Sequence, residues 1–162
     1  MKPRVYIETT VVSYLVSRPA LDVITAGHQA TTFQWWEQHR SRFELVVSQF
    51  VLDEASEGDP VAAGKRLAVL DGISVVPISQ PQIIVLAQAL LKAGALPPKA
   101  KLDALHISVC AVTGVDILLT WNFKHIANGT TVRQIERVCD ENGFECPQLL
   151  TPLQLLGDGD VD

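Results

Sequence analysis

The feature that most constrains this chain is a repeated alternation of two patterns. Short β-branched and aromatic runs stand at residues 5–7, 43–47, 73–78 and 117–120, and each is separated from the next by helical sequence. Thr9 or Thr10 offers an N-cap for a helix carrying Val11, Val12, Tyr14 and Leu15. Residues 19–42 read as helical, with Phe33, Trp35 and Trp36 near the end. Ser48 reads as the cap of a helix that Gly58 closes, and Pro60 opens another that stops at Gly72. Further helices are expected at 81–93, closed by Gly94, and at 99–113, closed by Gly114. The last third holds a helix near 131–142, a weak strand and a short helix from Pro152. Strand–helix alternation of this kind predicts an α/β layer fold, with a parallel sheet and helices on both faces. No repeat or linker divides the chain. One domain is therefore expected over 1–156, followed by an acidic mobile tail at 157–162.

Composition narrows the class. Apolar residues make up 48% and charged residues 19%, which supports a packed core and excludes a disordered chain. Thirteen basic residues against eighteen acidic ones leave a net charge of −5, so a broad basic footprint for duplex nucleic acid is excluded. Cys110, Cys139 and Cys146 are too few and odd in number for a disulfide framework, and a reducing, cytoplasmic setting is expected. The opening MKPRVYIETT has no apolar stretch suited to a signal peptide, and residues 107–115 are too short to span a bilayer. No membrane partner is expected.

In open α/β sheets, ligands gather beyond the carboxyl ends of the strands. Applied strand by strand, that rule selects Glu8 and Thr9 after the first run, Glu54 on the helix after the second, and Thr120 and Asn122 at the end of the fourth. Asp103 begins the helix that precedes the fourth run. Three carboxylates gathered at one low-dielectric edge repel one another, and a hard divalent cation relieves the conflict. Such a cation also polarises phosphates and activates water, which points to phosphodiester hydrolysis. Each residue has a plainer reading as well. Glu8 or Asp103 can serve a helix N-terminus, Glu54 can be a solvated charge, and Asn122 an ordinary turn residue.

The segments Tyr6 to Leu15 (YIETTVVSYL), Ser48 to Glu54 (SQFVLDE), Asp103 to Ile107 (DALHI) and Leu118 to Phe123 (LLTWNF) together resemble the PIN-domain family, of the kind found as VapC-type toxins. The resemblance covers nearly the whole chain. It implies a three-layer α/β/α sandwich with a central parallel sheet. It further implies a metal-dependent endoribonuclease that uses Mg²⁺ or Mn²⁺ and acts as the toxin of a type II toxin–antitoxin pair. RNA would be its substrate, a small antitoxin protein its partner, and a homodimer its assembly. The catalytic set carried over is Glu8, Glu54, Asp103 and Asn122, with Glu8, Glu54 and Asp103 as metal ligands. Thr9 and Thr120 fall where the family often places a hydroxyl. The family's first acid is usually Asp, whereas Glu8 is one methylene longer, and its fourth acid is replaced by Asn122. Those two departures favour the alternative, a catalytically weak PIN-fold protein that binds RNA or another protein.

His106, three residues after Asp103, is expected to pack or to support the acids. Lys99, Lys101, Lys124 and His125 flank the same edge as candidate phosphate contacts, or simply as solvated charges. His106 and the three cysteines lack zinc-type spacing, and Asp158, Asp160 and Asp162 lack the rest of a calcium loop. No nucleotide-binding glycine motif and no nucleophile elbow is present.

Overall fold

A computed structural model describes residues 1–157 of the chain. The acidic tail and its three aspartates lie, from 158 onward, outside the described residues. Over the described residues the protein is an α/β sandwich built on an all-parallel sheet of five strands. These are β1 (Arg4–Ile7), β2 (Glu44–Val47), β3 (Ser74–Val75), β4 (Ile117–Leu119) and β5 (Gln148–Leu150), in spatial order β3-β2-β1-β4-β5. Among the described residues, seven α-helices flank the sheet: α1 (Thr9–Val16), α2 (Val23–Gln38), α3 (Gln49–Ala55), α4 (Pro60–Leu70), α5 (Pro81–Lys92), α6 (Lys101–Thr113) and α7 (Val132–Glu141). The first four pack among themselves, and α5 packs against α6 and α7. With the right-handed crossovers usual between parallel strands, the reversal of strand order puts the two groups on opposite faces of the sheet.

Strand β1 lies at the centre, and Val5, Tyr6 and Ile7 are fully buried. A strand covered on both faces must be apolar throughout, which is why this run shows no polar alternation. Val5, Tyr6 and Ile7 register against Ile117, Leu118 and Leu119 of β4, and Val5 and Tyr6 against Leu45 and Val46 of β2. The chain steps outward from β1 to β2 to β3, then returns to β4 on the far side of β1. The reversal makes the crevice at the carboxyl ends of β1 and β4 the topological switch point, where side chains from several segments can meet.

Several expected boundaries move, each for a local reason. The third run shrinks from 73–78 to Ser74–Val75, because Pro77 has no N–H to extend the ladder. The long helix expected over 19–42 begins only at Val23, where the Asp22 carboxylate caps the Thr25 N–H at 2.8 Å. It gives way to a 3-10 turn at Arg40–Arg42. The cap of α1 is Glu8, not Thr9 or Thr10: the Glu8 carboxylate folds back to accept the Thr10 N–H at 2.7 Å. Ser48 does precede α3, but its hydroxyl makes no capping bond, because it is held by Tyr6. Gly114 closes α6 with φ at 71°, a left-handed turn that a side chain would strain.

Candidate functional site

Two hydrogen-bonded groups occupy the switch point. The inner one is built on Glu8, the residue immediately after β1. Although only 3% exposed, its carboxylate accepts three hydrogen bonds. Oε1 takes the hydroxyls of Thr10 and Thr120, each at 2.7 Å, and Oε2 takes the Thr10 N–H. Thr120 immediately follows β4, so this contact ties together the ends of the two central strands. The Glu8 N–H continues the ladder to the Leu119 carbonyl at 3.1 Å, which sets the two side chains face to face. Burial raises the pKa of Glu8, and the nearby His106 and its hydroxyl and amide donors offset this only in part.

The outer group is a chain of side chains spanning four elements. The Ser48 hydroxyl meets the Tyr6 hydroxyl at 2.7 Å, and Tyr6 meets Nδ1 of His106 at 2.6 Å. His106 Nε2 lies 2.6 Å from Oε1 of Glu54, which also accepts the Thr9 hydroxyl at 2.7 Å. The His106 imidazole is buried and is further fixed by an edge-on contact with the Tyr6 ring. A Glu54 carboxylate on α3 thereby gains a hydrogen-bonded imidazole from α6. Burial pushes the Glu54 pKa up, but the His106 hydrogen bond and charge, together with Thr9, outweigh it and the net shift is downward.

Asp103, in the first turn of α6, completes the edge. Burial raises its pKa against the lowering effects of Asn122, His106 and His125, and the Glu54 charge adds to the rise. Asn122 presents its amide oxygen to the backbone N–H of His125 at 2.9 Å. Its amide nitrogen is therefore the group available to Asp103. The family resemblance placed Asn122 in the catalytic set, where an acid usually stands. Its amide oxygen is already committed, and Asn122 acts toward Asp103 as a donor.

The fold thus gathers Glu8, Thr9, Glu54, Asp103, His106, Thr120 and Asn122 at one edge. Each of the three acids has protein partners in this arrangement. Hydroxyls and an amide serve Glu8, an imidazole serves Glu54, and Asn122 serves Asp103. Among the described residues, no three His, Cys, Asp or Glu side chains form a preassembled metal cage. Lys99, Lys101 and Lys124 are exposed, and His125 is partly buried close enough to Asp103 to lower its pKa.

Three participants were missed as site residues. Tyr6 reads as plain core and Ser48 as a cap, while Thr10 is hidden behind the capping assignment. One signal was available: a phenol in a fully buried central strand needs a polar partner for its hydroxyl.

In comparisons with known proteins, no family model, no curated protein and no solved structure matches this chain.

Proposed function

We propose that this chain is a metal-dependent endoribonuclease of PIN-domain type that hydrolyses RNA phosphodiester bonds with Mg²⁺ or Mn²⁺, as the toxin of a type II toxin–antitoxin pair. One observation carries the reading: three carboxylates from separate segments meet at the switch point, with Glu54 close enough to raise the Asp103 pKa and His106 close enough to act on Glu8, Glu54 and Asp103 alike. The donor set fits the cation. It is made of carboxylate oxygens, without a thiolate, and Mg²⁺ characteristically takes one or two carboxylates and fills the rest of its shell with water and phosphate oxygens. Asp103 would hold it, and the unbonded Oε2 of Glu54 would either complete its shell or receive the proton of the attacking water. Glu8 is too closely wrapped by Thr10 and Thr120 to offer more than its charge in this arrangement.

The cation, when bound, supplies Lewis-acid polarisation of the phosphate and activation of the attacking water. The rest falls to the chain's own side chains. Glu54 stays ionised through His106 and Thr9, as a general base must be to accept a proton. Asn122 orients Asp103 through its amide. Lys99, Lys101 and Lys124 offer charges for the flanking phosphates. A protein partner, an antitoxin or a second copy, is supported by exposed Leu21, Val23, Ile24 and Phe33 on and before α2. The setting we infer for this activity is the cytoplasm; no helix among the described residues is long and apolar enough to cross a membrane.

The test compares Mn²⁺-dependent cleavage of an unstructured RNA by the natural chain and by Asp103→Asn. A loss of about 100-fold or more is expected, since even groups that only support metal ligands cost 10- to 100-fold when removed. Equal cleavage by the two proteins overturns the reading. Mg²⁺ and RNA binding without turnover supports the alternative, a PIN-fold binding module, which the replacement of an acid by Asn122 favours.

A further inference from the structure

On either side of Asn122 in the chain, Trp121 and Phe123 line a cavity of about 390 Å³ that the proposed reaction does not use. Its aromatic wall is formed by His28, Trp121 and Phe123. The Trp121 and His28 rings stack with centroids 4.2 Å apart, and Phe123 stands 5.9 Å from Trp121 and 5.6 Å from His28. Trp121 is anchored, because its indole N–H donates to the Thr32 hydroxyl at 2.7 Å. Phe123 is 49% exposed. A rigid indole thus backs a phenyl ring that the protein leaves uncovered.

The backbone links this wall directly to the acids. The Phe123 N–H bonds the Trp121 carbonyl at 2.9 Å, closing a three-residue turn with Asn122 at its apex. Asn122 serves Asp103, while its two neighbours line the cavity. The two rings therefore sit one residue to either side of the side chain that serves Asp103. The cavity rim is polar. Gln154 commits its amide oxygen to the Thr151 N–H at 2.9 Å, which leaves its amide nitrogen free to donate. Lys124, directly after Phe123, is exposed and can meet a phosphate.

We propose that this cavity is a nucleobase subsite: an unpaired base of single-stranded RNA stacks on Phe123 and accepts a hydrogen bond from Gln154 while its neighbouring phosphate reaches Asp103 and Glu54. The proposal rests on the ribonuclease reading for the identity of the strand. A flat π-system with polar edges matches an aromatic wall with an amide rim. A pyrimidine carbonyl matches the free donor of Gln154. An aliphatic side chain would leave that donor unused.

The experiment titrates the full chain, without divalent metal, with a uridine pentamer and with a pentamer of the same backbone lacking bases. Binding is followed through the Trp121 indole N–H resonance in NMR. The base-bearing strand should bind about tenfold more tightly, in line with the usual worth of one base–aromatic stack. The Trp121 signal should move while those of Trp35 and Trp36 stay. Phe123→Ala and Phe123→Leu should abolish the preference, and Phe123→Trp should keep it. Leucine retains apolar bulk without a π face, so full discrimination by Phe123→Leu overturns stacking. Equal affinity for the two pentamers, binding of neither, or capture of a tryptophan-bearing peptide alone also overturns the proposal. A chain that prefers bases but never cuts RNA keeps the subsite and loses the ribonuclease reading. One that cuts base-bearing and base-free strands alike keeps the ribonuclease and loses the subsite.

Discussion

Glu8 and Glu54 sit on either flank of Thr9 in space, and each is drawn into the protein at the same sheet edge, yet their surroundings push them in opposite directions. Glu8 is wrapped by two hydroxyls and a backbone amide, and burial still raises its pKa. Glu54 has one hydroxyl and the His106 imidazole, and its pKa falls despite burial. The His106 charge opposes the effect of burial at both carboxylates, but Glu8 is 3% exposed against 28% for the Glu54 side chain, so desolvation prevails only at Glu8. Glu54 alone is also hydrogen-bonded to the imidazole. The inner half of the site is thereby an anchor between strands, and the outer half is the part suited to proton transfer.

Removing His106 breaks the outer half and gives the largest expected effect. His106→Ala leaves a void beside Tyr6 and strips partners from the buried Tyr6 hydroxyl and from Glu54. The loss should be about 4 kcal/mol in a denaturant titration. Retention of stability within about 1 kcal/mol would show that water replaces the imidazole freely.

Thr120→Val attacks the inner half instead. It removes a donor to Glu8 and the oxygen that accepts the Asn122 N–H at 2.9 Å. Because Thr10 still supplies two bonds to Glu8, the expected cost is smaller, about 2 kcal/mol by the same measurement. Equal costs for the two variants would erase the proposed difference between the halves.

The smallest effect sharpens the contrast through pH. Raised carboxyls such as Glu8 and Asp103 hold a proton in the folded state after the unfolded chain has released it. Their contribution therefore falls as pH climbs from about 4 through their folded values. Glu54 acts the other way: its contribution is present above the ordinary glutamate range and is lost as pH drops through its lowered folded value. Glu8→Gln should flatten the decline with rising pH, and Glu54→Gln should remove the acid-side loss. Denaturation curves collected from pH 3 to 8 read both slopes, and identical profiles for the two variants would refute the assignment.

Much of the scaffold was legible before any coordinates. The apolar run at Tyr6, the proline and glycine punctuation at Pro60, Gly72, Gly94 and Gly114, and the run before Thr120 place most elements within a few residues. Searching beyond strand ends led to Glu8, Glu54, Asp103 and Asn122. Less legible was what those side chains would do. Thr10 was read as a cap, and it turned out to be a partner of the cap. Ser48 lost its local role to a phenol forty-two positions away. Asn122 turned its oxygen inward to His125. Thr10 and Asn122 found partners two and three residues away, and only Ser48 was drawn to a distant one, because a short polar side chain has several satisfactory partners among which local pattern does not choose.

Period, propensity and punctuation act over a few neighbouring residues, so the sequence alone determined the alternation of strands and helices and the edge at which polar groups collect. The pairing of those groups was decided only when β1 settled beside β4 and α3 met α6. Hydrogen bonds between residues a hundred positions apart depend on angstrom-scale placement that no local pattern encodes. Tertiary packing therefore made one carboxylate a buried clasp and gave the other its imidazole.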